Sequence, residues 1–190
     1  MNPAFFEKLT DFLQLAGKLK TTFRSIAITP DRKESVADHS WRLALLVILV
    51  TPFLDQKINV EKALKMAIIH DLGESVVGDI DIQDLIKNEM LQQNKTDQEH
   101  QAFIQFRNLL GDKLGNELLG LWIEFEQQLS LEAKLIQSLD KLEAQFQQNE
   151  SHLSTWKELH KLGKLKEFES MCDFDSFIRQ LKETAITKRV

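Results

Sequence analysis

Apolar residues recur at helical spacing through most of this 190-residue chain, and helix-breaking residues are few, with seven Gly and three Pro. Sustained 3.6-residue periodicity with so little punctuation favours an all-α fold, a bundle of helices joined by short loops. The length suits one domain spanning residues 1–190, large enough to bury a substantial core.

Phe5, Leu9, Phe12, Leu13, Ala16 and Leu19 form the stripe of a first amphipathic helix. Residues 20–33 lose the periodicity and contain Pro30, which predicts a loop carrying Arg24 and Arg32. Ser35, with Asp38 three residues later, marks the start of a helix holding His39 in an early turn. Ala44 to Val50 is apolar on all sides, which predicts a central helix. Asn59 caps the next, whose inward residues Val60, Ala63, Leu64, Ala67 and Ile68 lead to His70-Asp71 before the breaker Gly73. Residues 75–84 read as a loop containing Gly78 and the acids Asp79, Asp81 and Asp84. Helices follow over 96–110 and 116–128, then one capped by Ser130 with the stripe Leu135, Leu139, Leu142 and Phe146 and with Asp140 beside it. A last helix through Phe174, Phe177 and Leu181 closes the bundle.

A net charge of −5 argues against binding a nucleic-acid polymer, which needs a basic surface, but leaves room for a small phosphorylated molecule at a local positive site. Hydrophobic residues at 43% and charged residues at 28% point to a globular rather than disordered chain. Cys172 is the single cysteine, so no intrachain disulfide is possible and a reducing cytoplasm is the simplest setting. Glu7, Lys8 and Asp11 interrupt the N-terminal stretch, unlike a secretory signal. The apolar run Leu43 to Leu54 is shorter than a bilayer span of about 20 residues, so no membrane is expected.

The chemistry gathers around His70-Asp71. A His-Asp pair alone is weak, since one of five histidines can meet an Asp by chance. His39 and Asp140, however, also lie on helices that should be packed, and burying a carboxylate without a partner costs several kcal/mol. One shared cation would satisfy all four groups. Two imidazoles and two carboxylates are a mixed nitrogen and oxygen set suited to Mn, Fe, Co, Ni or Zn. Glu74 lies one helical turn beyond Asp71, where it can flank the ion without ligating it, and Asp79 sits on the Gly78 turn. His100, His152 and His160 lie in polar surroundings and read as solvated, as do Glu124 and Glu126; Trp41 reads as a packing residue, and Arg42 as support for the adjacent ligand.

Three local words carry a family resemblance: Glu34-Ser35-Val36-Ala37-Asp38-His39-Ser40, His70-Asp71-Leu72-Gly73-Glu74-Ser75-Val76-Val77-Gly78-Asp79-Ile80, and Leu139-Asp140-Lys141-Leu142-Glu143. In order and helical setting, from about Leu13 to Phe146, they resemble the HD-domain phosphohydrolases, and among these the bacterial 5′-deoxynucleotidases and their eukaryotic relatives. The resemblance implies an HD-domain helical bundle with one divalent metal (Co, Mn, Fe, Ni, Zn or Mg) on His39, His70, Asp71 and Asp140. It implies catalytic roles for Glu74 and Asp79 in hydrolysis of a nucleoside 5′-monophosphate, a phosphate-binding role for Arg24, and a homodimer. Bacterial members often have Trp after that arginine; here Ser25 stands in its place.

Absences narrow the class. Only His100 lies between the dyad and Asp140, too few histidines for a two-metal cyclic-nucleotide phosphodiesterase, and the chain has no Tyr for the Gly-Tyr-Pro word of cyclic-dinucleotide hydrolases. Alarmone hydrolases usually follow the glutamate with Asp, where Ser75 stands here, and many deoxynucleoside triphosphohydrolases have His in place of Glu74. The expected activity is a metal-dependent 5′-nucleotidase for deoxynucleoside monophosphates; the alternatives are hydrolysis of another nucleotide or phosphomonoester, and a metal-retaining regulatory module without turnover.

Overall fold

A computed structural model of the chain describes residues 3–80, 89–156 and 170–187. In chain order these contain α1 (Pro3–Ala16), a 3₁₀ turn (Gly17–Lys20), β1 (Phe23–Thr29), β2 (Arg32–Ser35), α2 (Val36–Val50), a 3₁₀ turn (Thr51–Phe53), α3 (Val60–Ile69), the short α4 (Glu74–Val77), α5 (Glu89–Leu110), α6 (Asp112–Glu126), α7 (Leu131–Glu150), a 3₁₀ turn (Leu153–Thr155) and α8 (Ser176–Thr187). The helical class predicted from periodicity is the class observed.

Residues 20–33 are not a loop. They form an antiparallel hairpin in which Phe23 pairs with Ser35, Ala27 with Lys33 and Thr29 with Arg32, around a turn at Pro30-Asp31. Ile26, Ile28 and Thr29 are β-branched and precede a Pro-Asp turn, so a strand signal was present. The hairpin holds Arg24 on a strand rather than a flexible segment, and the bond from Val36 N–H to Thr22 O (2.9 Å) ties its base to α2.

Helix starts follow their caps. The Ser35 hydroxyl accepts from Asp38 N–H at 3.1 Å while Asp38 Oδ2 accepts from Ser35 N–H at 3.0 Å, a reciprocal capping box worth about 1 kcal/mol. Asn59 and Ser130 cap α3 and α7 as expected. α5 begins at Glu89, several residues before the predicted start. Asp81, Asp84 and His160 lie outside the described residues.

Two apolar clusters form the core. Leu43, Val47, Met66, Leu135, Leu139 and Ile178 join α2, α3, α7 and α8. Val36, Ile69, Leu72, Phe103, Phe106 and Trp122 join α2, α3, α5 and α6. His39 lies on α2 between Val36 of one cluster and Leu43 of the other, so the polar centre sits where the clusters meet.

α2 is not central. Its inner side is buried, but Trp41 is 65% exposed, Ile48 53% and Leu49 56%, and Leu45 and Phe53 continue the same stripe. Trp41 is therefore mostly exposed, contrary to the packing role predicted for it. Together with the following 3₁₀ turn, α2 makes an apolar segment, Val36–Phe53, of 18 residues with mean hydropathy 1.3, long enough to cross a membrane by length and composition.

Candidate metal centre

Three helical elements deliver the four predicted ligands to one place. His39 Nε2 lies 3.3 Å from His70 Nε2, 3.0 Å from Asp140 Oδ1 and 3.9 Å from Asp71 Oδ2, and His70 Nε2 is 3.1 Å from Asp71 Oδ2. Ligand atoms of His39, His70 and Asp71 all lie within 4.8 Å of one another. His39 comes from the second turn of α2, Asp140 from the middle of α7, and His70 from the C-terminal end of α3, with Asp71 in the turn beyond.

The other ring nitrogens decide whether this set fits a cation. His39 Nδ1 donates to Glu143 Oε2, and His70 Nδ1 donates to the Ala67 carbonyl at 3.0 Å. With protons on both Nδ1 atoms, both Nε2 lone pairs face each other and the two carboxylates. Three of these residues lie mutually close and Asp140 Oδ1 meets them through His39, its Oδ2 being paired with Lys141 at 2.8 Å; a positive charge among these atoms turns mutual repulsion into attraction. Burial and Arg24 oppose protonation of His39, yet its bonds to Asp140 and Glu143 still push it up to about 9, so the local field is strongly negative. The donor set thus fits a divalent ion, while His100 is stacked on Trp122 (ring centroids 5.8 Å apart).

Glu143, one turn after Asp140 on α7, was missed in the sequence. It is fully buried and also accepts from Arg42 Nε at 2.6 Å, while Arg42 Nη1 reaches Glu150 at 2.7 Å. This is the carboxylate–histidine pairing that fixes a ligand's tautomer and orientation, and Arg42 supports it as expected. The i, i+3 spacing of Asp140 and Glu143 beside Leu139 and Leu142 was the available signal.

Arg24 points from β1 into the same region. Its Nη1 is 3.4 Å from Asp71 Oδ2 and its Nε 3.2 Å from the buried Glu34. Burial works against the guanidinium's charge, but Asp140 and Asp71 hold it charged.

Glu74 opens α4, where its N–H donates to Asp71 O at 3.0 Å, and its side chain is buried. Lys95 Nζ of α5 lies 2.9 Å from Glu74 Oε1 and 3.0 Å from Glu99 Oε1; Glu74 Oε2 is buried with no hydrogen-bond partner among the described residues. Burial and the Asp71 carboxylate push Glu74 up to about 9 against the pull of Lys95. A divalent ion on Asp71 would reverse that neighbour's effect. Gly78 ends α4 at φ +81°, a left-handed conformation suited to glycine, and returns the chain toward the cluster with Asp79. Burial raises Asp79 above the usual carboxylate range, while Arg24 opposes the shift. Glu126 is half-buried rather than solvated, and burial followed by the Glu99 charge raises it to about 7. His152 is exposed, as predicted.

An all-helical frame with paired imidazoles and carboxylates from separated helices is the arrangement of an HD domain, and the chain belongs to the HD domain family, with the match running over residues 16–173. Its relatives narrow the class. The chain is 36% identical over 163 residues to the human 5′-deoxynucleotidase HDDC2, covering 84% of this chain and 74% of that protein. It is 35% identical over 165 residues to the zebrafish protein of the same name, covering 85% and 76%. A solved structure described as a predicted metal-dependent phosphohydrolase from Magnetospirillum magnetotacticum superposes with a TM-score of 0.78 at 23% identity, over 97% of this chain and 94% of that one, a likeness of fold.

Proposed function

We propose that this protein is a metal-dependent 5′-nucleotidase that hydrolyses deoxynucleoside 5′-monophosphates to phosphate and the deoxynucleoside, with one divalent ion on His39, His70, Asp71 and Asp140. The observation that carries the reading is the approach of the His39 and His70 Nε2 atoms to each other and to Asp71 and Asp140, with the Nδ1 of each ring bonded on its far side to Glu143 or to the Ala67 carbonyl. The similarity to 5′-deoxynucleotidases over most of the chain supports the substrate class.

When bound, the ion supplies Lewis acidity at the phosphoryl group and makes water more acidic. The chain's own residues supply the rest. Arg24 presents a planar cation beside Asp71, suited to charge-assisted contacts with phosphoryl oxygens. Glu74 accepts a proton from the attacking water, whose oxygen bonds phosphorus as the bond from phosphorus to the 5′ oxygen breaks. Asp79, which burial biases toward its protonated form, meets the sugar or supplies the proton that the leaving 5′ oxygen takes up. Ser25 offers no aromatic ring for base stacking.

Phosphate release from a panel of deoxynucleoside monophosphates, ribonucleoside monophosphates and non-nucleotide phosphomonoesters, with Co, Mn, Mg and Zn each supplied, tests this. The expected result is turnover of the deoxynucleotides with metal and none with chelator. Stoichiometric metal without turnover on any substrate would instead identify a regulatory module.

The exposed α2 stripe supports a homodimer. A single uncharged face is self-complementary about a twofold axis. The same helix carries His39 into the core and pairs its Arg42 with the buried Glu143 of α7, which sets it against a membrane-spanning role. Sedimentation should give twice the chain mass, and Ile48→Glu with Leu49→Glu should give the monomer; a monomeric wild type, or partition into vesicles, overturns the dimer. A free, buried Cys172 suits a reducing cytoplasm.

A further inference from the structure

The Lys95–Glu74–Glu99 triad stands apart from the predicted ligands and is unaccounted for by them. Lys95 is four residues before Glu99 on α5, so both side chains lie on one helical face, and Glu99 holds the ammonium at 3.0 Å. α4 comes close enough to meet it because Gly73 has no side chain: a Cβ there would stand 3.0 Å from Glu99 Cγ and 3.3 Å from Glu99 Cα. Within that contact Lys95 reaches across to Glu74 Oε1 at 2.9 Å. Glu74 Oε2 is buried and takes no hydrogen bond among the described residues. Asp71, Asp79 and Glu126 add further negative charge around it; Arg24 pairs with Asp71, and Lys95 is the cation that meets both Glu74 and Glu99.

We propose that Lys95 is a positioning residue for Glu74, pinning one carboxylate oxygen so that the other stays free as the acceptor for the attacking water's proton. This deepens the nucleotidase reading and rests on it. A carboxylate rotating about its last torsion would offer its oxygens in varying directions; an ammonium anchored by a second carboxylate removes that freedom before substrate arrives. Lys95 itself takes no proton and makes no bond to phosphate.

The test compares wild type, Lys95→Met, Lys95→Arg, Glu74→Gln and the double variant Glu74→Gln with Lys95→Met. Each is measured for metal per chain, melting temperature and steady-state phosphate release from the deoxynucleotide that wild type turns over fastest. Lys95→Met should keep full metal content and a KM within about twofold, and lose kcat on the order of 10- to 100-fold. Lys95→Arg should recover most of that loss. In the Glu74→Gln background the lysine substitution should have no further effect, because the residue it acts through is already gone. If Lys95→Met fails to fold, Lys95→Arg and the double variant, in which Glu99 is the one member of the triad left as a carboxylate, still carry the comparison. An equal fall in both backgrounds, a raised KM with unchanged kcat (a phosphate contact), or wild-type kcat in Lys95→Met overturns the proposal while leaving the nucleotidase reading intact. Absence of turnover by wild type at full metal content overturns both.

Discussion

Arg42 Nε donates to Glu143 Oε1 at 2.6 Å, while the other oxygen of the same carboxylate accepts from His39 Nδ1. The ligand imidazole is therefore oriented from behind by a buried ion pair whose members sit on α2 and α7. Removing one partner of such a pair leaves an uncompensated buried charge and costs about 3 kcal/mol. Glu143→Gln should lower metal affinity by about 10- to 100-fold, measured by competition with a chelating dye, and lower the melting temperature. Unchanged metal affinity would show that His39 needs no such support.

Glu74→Gln keeps the shape of the side chain and leaves the four ligand residues intact. Metal content should stay at the wild-type level while kcat falls on the order of 100- to 10,000-fold. Loss of metal instead of turnover would make Glu74 a ligand.

Arg24 is placed by a strand and reaches both Asp71 and Glu34. Arg24→Ala should reduce kcat/KM by on the order of 10- to 100-fold, chiefly through KM, and Arg24→Lys should recover little, because an ammonium lacks the planar fork. Equal KM values for all three proteins would remove Arg24 from substrate binding.

Stability of the metal-free protein should fall as pH rises. Burial, aided by Asp71, holds Glu74 up to about 9, and burial holds Glu34 and Glu126 at about 7. Each keeps in the folded state a proton that the unfolded chain has already released, so folding binds protons between about 5 and about 9 and stability declines through that window. His39, also raised to about 9, has the same sign: its stabilisation is complete below its unfolded value and is lost as pH rises through the folded one. The depressed Asp71, Asp140 and Glu143 act oppositely, costing stability only as pH falls below the usual carboxylate range. Melting in chelator from pH 5 to 9 should show a decline that Glu74→Gln flattens; a rising melting temperature would contradict the assignment.

Two glycines of α6 should respond in opposite directions. A Cβ on Gly115 would lie 2.5 Å from Arg107 Cα and 2.6 Å from its carbonyl oxygen, backbone atoms of α5 that cannot swing aside. Gly115→Ala should cost about 1–3 kcal/mol or more by overpacking. A Cβ on Gly120 would meet nothing within 4 Å among the described residues, and Gly120→Ala should add up to about 1 kcal/mol of helix propensity. Chemical denaturation of the pair separates these effects.

Much of the site was legible because its signals are local. Ser35 and Asp38 form the capping box read from their spacing, and His39 follows one turn later. His70-Asp71 ends a helix whose apolar stripe is plain in the sequence, and Glu74 lies a turn beyond. The hairpin was hidden because its β-branched run is short and leaves little two-residue alternation beside the 3.6-residue periodicity of the flanking helices. α2 was misplaced because an all-apolar helix looks the same whether the protein's own core or a partner covers it.

The sequence by itself determined the helical class, the caps and the residue types suited to a divalent ion, since these depend on neighbours within one or two turns. Only the tertiary structure decided that Glu143 faces His39 Nδ1, 104 residues away, and that Lys95 meets Glu74 across the contact that Gly73 allows. Long-range pairing of charges depends on how separate helices cross, and no spacing along one helix encodes it.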